Sequence, residues 1–334
     1  MIFLMVLVSA AISAATALAL IRRAASLGLL QQANERSSHV APTPTGGGVG
    51  IALGTVFGIL LIGAASDFDT LTMVVLAAAI AVLGLADDRW SLPATLRLLV
   101  QLILVSILVI ALTSPWQTGN VMGAVLMAAL LIVAGVWWVN LYNFMDGIDG
   151  FAGAQAVFML AAALLLAAQA ANQPWTHALG LLALSAIAAT LAFLALNWPP
   201  AKIFMGDVGS TFLGFLILAI AIATSKLGWL SLWQWSILGV AFAADATVTL
   251  LRRFRDGKNV FQAHRSHTYQ RVSRLLGGHR TVTLGLIAAN IVLVLPAAWL
   301  AGQWPDHAWI IAAGTYMLAG IAALRLGAGR PDAA

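Results

Sequence analysis

The 334-residue chain has no cysteine, so neither disulfides nor thiol chemistry can belong to it. Charge is scarce as well: Asp, Glu, Lys and Arg make up 9% of the residues, and Glu35 is the only glutamate. With 61% hydrophobic residues and a mean hydropathy of +0.95, the surface of such a chain could not be hydrated without aggregation. This excludes a soluble fold, and with it a nucleic-acid binder, which needs a soluble domain to present its charge. The bilayer is the solvent that fits this composition. No internal repeat is visible.

A spanning helix needs about 20 apolar residues. Eleven runs approach that length, at about 2–21, 46–64, 70–86, 94–113, 121–139, 150–170, 177–196, 208–224, 231–251, 281–301 and 308–326. The chain therefore reads as one all-α polytopic integral membrane domain, residues 1–334, with about 11 transmembrane helices. The first run has no positive segment before it, and Arg22 and Arg23 follow it, so it reads as a retained anchor rather than a cleaved signal. This sets the N-terminus outside and the C-terminus in the cytoplasm. Sixteen of the seventeen Lys and Arg residues then fall on the cytoplasmic side, with only Lys226 outside, as the positive-inside rule favours. The expected cytoplasmic loops are about 22–45, 87–93, 140–149, 197–207 and 252–280.

The pI near 10.2 and net charge of +5 come mostly from 252–280, which holds Arg252, Arg253, Arg255, Lys258, Arg265, Arg271, Arg274 and Arg280. Orientation and attraction to anionic membrane lipids, about 1 kcal/mol per residue, account for the charge. They do not account for the interleaved His264, His267, Tyr269 and Gln270.

Five of the twelve carboxylates sit in three short segments, each beside an apolar run: Asp87-Asp88, Asn143 to Gly150 with Asp146 and Asp149, and Phe204 to Ser210 with Asp207. All three open to the cytoplasm in the expected topology. Asp87 and Asp88 end a span, where they repel each other and the negative end of the helix dipole unless a cation or proton compensates. Asn140, Asn143, Asp146 and Asp149 recur at intervals of three, which on helical geometry makes one stripe facing one place. Asp207 lies where a helix begins, suited either to capping that helix or to gathering phosphate at its N-terminus. Lys202 and Asn197 precede it on the same face, within reach of a phosphate. The glycine run Gly46-Gly47-Gly48, after Pro42-Thr43-Pro44, serves either close helix packing or a phosphate. Hard oxygen ligands without cysteine suit Mg²⁺ or Mn²⁺, and Mg²⁺ takes only one or two protein ligands, so not all five Asp can hold it.

In this order these segments resemble the polyprenyl-phosphate N-acetylhexosamine-1-phosphate transferase family, which includes the peptidoglycan translocase and the initiators of O-antigen and teichoic acid linkage units. The likeness rests on Pro42-Thr43-Pro44 with its glycines, Asp87-Asp88-Arg89-Trp90, Arg97 with Gln101, Asn140 to Gly153, Lys202 to Ser210, and the basic loop around Lys258, Phe261, Arg265 and His267. The resemblance implies Mg²⁺-dependent transfer of a sugar phosphate from a UDP-N-acetylhexosamine to undecaprenyl phosphate, with release of UMP, at the cytoplasmic face of a bacterial inner membrane. It implies Asp207 and Asn143 as metal ligands, and Asp87 or Asp88 as the group that deprotonates or positions the lipid phosphate. Arg97, Lys202, His264, Arg265 and His267 would meet phosphate or nucleotide, while Asn140, Asp146 and Asp149 organise the nucleotide pocket. A homodimer is among the assemblies it allows.

The stretch His264-Arg265-Ser266-His267-Thr268-Tyr269-Gln270 departs from the histidine clusters of the peptidoglycan and enterobacterial GlcNAc branches. In this it is similar to O-antigen initiators that take 6-deoxy sugars such as FucNAc or QuiNAc, with GlcNAc the alternative sugar that the resemblance allows. The rival class is a secondary transporter, which uses buried acids near mid-bilayer. Only Asp245, inside an apolar run, resembles such a group.

Overall fold

The computed structural model describes residues 1–31, 42–64, 66–117, 119–259 and 264–330. The family likeness at Phe261, and residues 36–41 of the first loop, lie outside them.

Each of the eleven apolar runs contains helix. In chain order these are α1 (Ile2–Leu27), α2 (Gly48–Leu61), α3 (Phe68–Trp90), α4 (Ala94–Thr113), α5 (Val121–Phe144), α6 (Phe151–Ala167), α7 (Ala178–Asn197), α8 (Gly206–Lys226), α9 (Leu232–Leu238) and α10 (Val240–Arg255), followed by α11 (Thr268–Leu275), α12 (His279–Ala289), α13 (Leu295–Gln303) and α14 (Ala308–Arg325). A two-residue antiparallel ladder joins β1 (Leu30–Gln31) to β2 (Thr43–Pro44) ahead of α2. The all-α polytopic class stands. Among the described residues, eight helical segments are long and apolar enough to cross a membrane, or nine if α9 and α10 form one span. Reaching eleven requires the short apolar helices α2, of 14 residues, and α6, of 17.

The α9–α10 pair is bent by 73°, so the run at 231–251 is not one straight span. Gly239 stands at the break, where a side chain would come within 2.8 Å of the Trp138 ring. Gln155 Nε2 donates to the Leu238 carbonyl at 3.0 Å, satisfying a backbone group at the bend. Asn290 Nδ2 in turn donates to Gln155 Oε1 at 2.7 Å. At Asn290 the last-but-one span passes through a π-turn (Asn290–Val294), shortly before Pro296 removes a backbone donor.

Helix α8 is the centre of the molecule. Nearly every residue from Val208 to Thr224 is buried, with α2, α3, α4 and α5 packed around it. In a bilayer the hydrophobic effect does not drive helices together, so close packing of small residues must. Between α1, α2 and α7, Ser13 Oγ donates to the Ala189 carbonyl at 2.7 Å, and a Cβ on Gly50 would lie 2.6 Å from the Ser13 carbonyl. The start of α8 is gripped in the same way. A Cβ on Gly84 of α3 would fall 2.6 Å from Val208 Cα, and one on Gly48 would overlap the Gly209 backbone. Gly47 and Gly48 donate their N–H groups to the Phe204 and Met205 carbonyls, both at 2.9 Å. The glycine run thus holds the segment before α8 by close packing, one of the two uses left open by the sequence.

Candidate active site

The three acidic segments, far apart in sequence, converge. Asp87 and Asp88 from the last turn of α3, Asp146 and Asp149 from the loop after α5, and Asp207 from the first turn of α8 all line one cavity of about 740 Å³. A second cavity of about 750 Å³ opens beside it, with Leu83, Val133, Val136, Trp137, Leu250 and Phe254 in its wall. The two share Asp87, Arg97, Asn143 and Asp207. An acidic chamber and an apolar groove therefore meet at three polar residues and one cation.

The adjacent carboxylates of Asp87 and Asp88 are compensated separately. Asp88 Oδ1 accepts the Asp207 N–H at 2.8 Å and its Oδ2 accepts the Val208 N–H at 3.1 Å, so α3 caps the positive end of α8. Gly206, at φ +75°, lets the chain enter that helix; a Cβ there would stand 2.6 Å from Asp88 Oδ2. Asp87 Oδ1 accepts the Leu92 N–H at 2.8 Å, and its Oδ2 pairs with Arg97 Nη1. The same Nη1 lies 3.5 Å from Asp207 Oδ2. Asp207 does not cap its own helix; its side chain is 34% exposed, against 6% for Asp87. Of the two acids that share Arg97, Asp207 is the one whose carboxylate an incoming cation can reach.

Asn143 Nδ2 donates to Asp207 Oδ1 at 2.8 Å and to Ser210 Oγ at 2.9 Å. Asn140 Nδ2 donates to Gln101 Oε1 at 2.7 Å and lines the apolar groove. The expected helical stripe is corrected here. Helix α5 ends at Phe144, so Asp146 and Asp149 lie in a turn, not one helical rung apart. Gly147 cannot carry a Cβ, because the Tyr269 hydroxyl fills that space, and Gly150 takes φ +72°. The loops expected at 87–93 and 140–149 likewise begin later, since α3 runs to Trp90.

Asp149 is buried at the base of the chamber. Its Oδ2 accepts the Ala201 N–H at 3.0 Å and lies 3.2 Å from His279 Nδ1, while Thr283 donates to its carbonyl at 3.0 Å. Asn197 fastens the same two loops, accepting the Gly150 N–H at 2.9 Å and donating to the Ile203 carbonyl at 2.8 Å. The sequence reading missed His279 and Thr283, although His279 stands in the basic segment whose other histidines were singled out.

Desolvation pushes the Asp146 carboxyl well above the usual range, and the Asp207, Asp88 and Asp149 carboxylates reinforce the shift. A folded value above the unfolded one, about 4, leaves no penalty at low pH and a growing one as pH rises through the folded value. In metal-free protein, Asp146→Asn should therefore flatten the fall in melting temperature above about pH 4. At pH 8 it should melt higher than the wild type, and at pH 4 the two should melt alike. Melting curves from pH 4 to 8 in chelator check this; identical slopes for wild type and variant would remove Asp146 as the source.

His264 and His267 line the apolar groove with ring centroids 4.8 Å apart. Burial, then the charges of His267 and Arg253, push His264 down to about 3, so near neutral pH it is a hydrogen-bonding group rather than a cation. Lys202 is exposed, its N–H donating to the Leu196 carbonyl at 2.8 Å, and neither it nor Arg265 lines either cavity. Among the described residues, no three His, Asp or Glu side chains form a ready-made metal cage. A hard cation that keeps its waters and shares phosphate oxygens does not require one. Five carboxylates around one chamber, with an accessible Asp207, are a donor set of the right chemistry for it.

The pattern of glycosyl transferase family 4 matches residues 70–225, a range that includes all five carboxylates but stops short of His264 and His267. A probable undecaprenyl-phosphate N-acetylglucosaminyl 1-phosphate transferase of Bacillus subtilis is 31% identical over 300 residues, covering 84% of this chain and 81% of the relative. A decaprenyl-phosphate N-acetylglucosaminephosphotransferase of Mycobacterium tuberculosis is 29% identical over 342 residues, 90% of this chain and 83% of the relative. A phospho-N-acetylmuramoyl-pentapeptide-transferase of Streptococcus equi is 28% identical over 183 residues, about half of each chain.

Proposed function

Because the chain belongs to glycosyl transferase family 4, among the polyprenyl-phosphate N-acetylhexosamine-1-phosphate transferases, we propose that it moves an N-acetylhexosamine 1-phosphate from a UDP-sugar to undecaprenyl phosphate. It is a multi-pass membrane enzyme of the phospho-sugar transferase class. The observation that carries the finer reading is the meeting of two unlike cavities at Asp87, Arg97, Asn143 and Asp207. A polyprenyl chain suits the apolar groove and a nucleotide diphosphate sugar suits the acidic chamber, which brings the two phosphates to the junction.

There an oxygen of the lipid phosphate attacks the β-phosphorus of the donor. The bond from that phosphorus to the bridging oxygen breaks, UMP leaves, and a lipid-linked pyrophosphoryl sugar remains. Asp87 would orient the acceptor phosphate through Arg97, whose guanidinium would offset its charge. Asp207 would hold Mg²⁺, or Mn²⁺ in its place, with Asn143 setting the carboxylate. A cation held there would supply positive charge against the donor pyrophosphate. Asp146 faces the nucleotide side, and Asp149 with Asn197 keeps that side's loops in place. Most of the rate then comes from positioning and electrostatics.

The expected topology turns this junction to the cytoplasmic face of a bacterial inner membrane, where UDP-sugars are available. GlcNAc stands in the names of the relatives matched over most of their length, while the Tyr269-Gln270 departure supports a 6-deoxy sugar and O-antigen initiation. One assay decides among them. Purified chain with Mg²⁺, undecaprenyl phosphate and UDP-GlcNAc, UDP-FucNAc or UDP-QuiNAc should release UMP for at least one donor. Folded protein that releases none would end the transferase reading.

A further inference from the structure

Asp245 is a buried carboxylate, 7% exposed, that the chemistry above leaves unused. From α10 its Oδ1 accepts the Thr268 N–H at 2.8 Å and its Oδ2 accepts the Tyr269 N–H at 3.0 Å. These are the first two residues of α11, whose leading amides have no partner within the helix and no cap from His267. A carboxylate from another helix meets them at the positive end of the dipole, which is the stronger, charge-assisted form of the bond. Thr249, one turn further along α10, donates its hydroxyl to Asp245 Oδ1 at 3.1 Å and fixes the rotamer.

His267 immediately precedes these amides. Its Nδ1 lies 3.8 Å from Asp245 Oδ1, while its ring lines the apolar groove beside His264. On the other side, the Tyr269 hydroxyl donates to the Phe144 carbonyl at 2.9 Å, and its ring stacks on Phe151 at 4.8 Å. Residues 267–269 are thus held between α10 and the end of α5, the helix that carries Asn140 and Asn143.

We infer that Asp245 is a positioning residue: by capping α11 from α10 it sets His267 in the wall of the groove, and it acts on phosphate transfer through that imidazole. This accounts for a buried acid that a transporter would use as an ion relay. Its kinetic consequence rests on the transferase reading; its backbone consequence rests on the geometry alone.

Two measurements on the full-length protein in detergent separate these. In Asp245→Asn one carboxamide oxygen faces two amides, so hydrogen exchange across 268–275 should rise by about tenfold or more. In kinetics, Asp245→Asn should lower kcat by about 10–100-fold, as loss of an outer partner does. KM for the UDP donor should change less than kcat, because neither histidine lines the acidic chamber and α11 reaches it through Gln270 alone. In a His267→Ala background the same substitution should cost less than about twofold, since the group it places is gone. Thr249→Val keeps the charge and serves if Asp245→Asn does not fold; it should cost about threefold, and nothing further without His267. Equal losses with and without His267, or unchanged exchange, would overturn the inference. Exchange that responds in a protein releasing no UMP would support the capping contact while refuting the transferase reading.

Discussion

Asp207→Asn should leave the chain folded and cut turnover by about three orders of magnitude. A cation on a transferring phosphoryl group contributes several kcal/mol to the transition state, and each ~1.4 kcal/mol is tenfold in rate. The fold should survive because Asp207 does not cap α8. That task belongs to Asp88, and the helix is buried along nearly its whole length. The carboxamide still offers an oxygen to Asn143, so the shape of the junction persists while the charge that would hold the cation and attract Arg97 is lost. Mn²⁺ binding followed by electron paramagnetic resonance should weaken in parallel with turnover, whereas the melting temperature in chelator should hold or rise as one repelling carboxylate is removed. Retention of more than a tenth of the wild-type rate, or unchanged Mn²⁺ affinity, would take Asp207 out of the metal site.

The gathering of five carboxylates was legible because acids are so rare here. In a chain solvated by lipid, an Asp beside an apolar run is costly unless something pairs with it, and position alone marked Asp87, Asp88, Asp146, Asp149 and Asp207. Which partner each acid finds was not legible, since hydrogen bonds across 119 or 130 positions leave no periodic trace in sequence. Asp88 spends both oxygens on α8 and Asp149 spends Oδ2 on a neighbouring loop and His279, while Asp207 and Asp146 stay partly exposed in the chamber. The interval of three after Asn140 misled for a physical reason: periodicity persists through a turn, but Gly147 and the Tyr269 hydroxyl end the helix at Phe144. The spans read well wherever a helix is long and uniform. The α9–α10 bend escaped because its cause, Gly239 against Trp138 with Gln155 on the freed carbonyl, is tertiary. Lys202 and Arg265 stand close in sequence to the site yet line neither of its two cavities.

Asp87→Asn and Asp88→Asn should both suppress turnover by at least about a hundredfold, yet by separable routes. Asp88 accepts two backbone amides, and a carboxamide can satisfy only one while its own NH₂ opposes the other. An unmatched buried amide costs about 1–3 kcal/mol, and the charge at the positive end of α8 is lost as well. Asp88→Asn should therefore lower the melting temperature by several degrees and weaken Mn²⁺ binding, because the amide it releases belongs to Asp207 itself. Asp87 is differently placed. An amide oxygen still suits the Leu92 N–H, so the fold loses little, but Arg97 loses its nearer anion and moves toward Asp207. The acceptor phosphate then meets a guanidinium already engaged with the metal-side carboxylate. Asp87→Asn should raise KM for undecaprenyl phosphate by about tenfold or more, with KM for the UDP-sugar and the melting temperature nearly unchanged. Full steady-state kinetics in both substrates, with melting curves on the same preparations, provide the test. If the two variants shift stability and both KM values alike, the adjacent carboxylates act as one unit, and the division of work between α3's two acids falls.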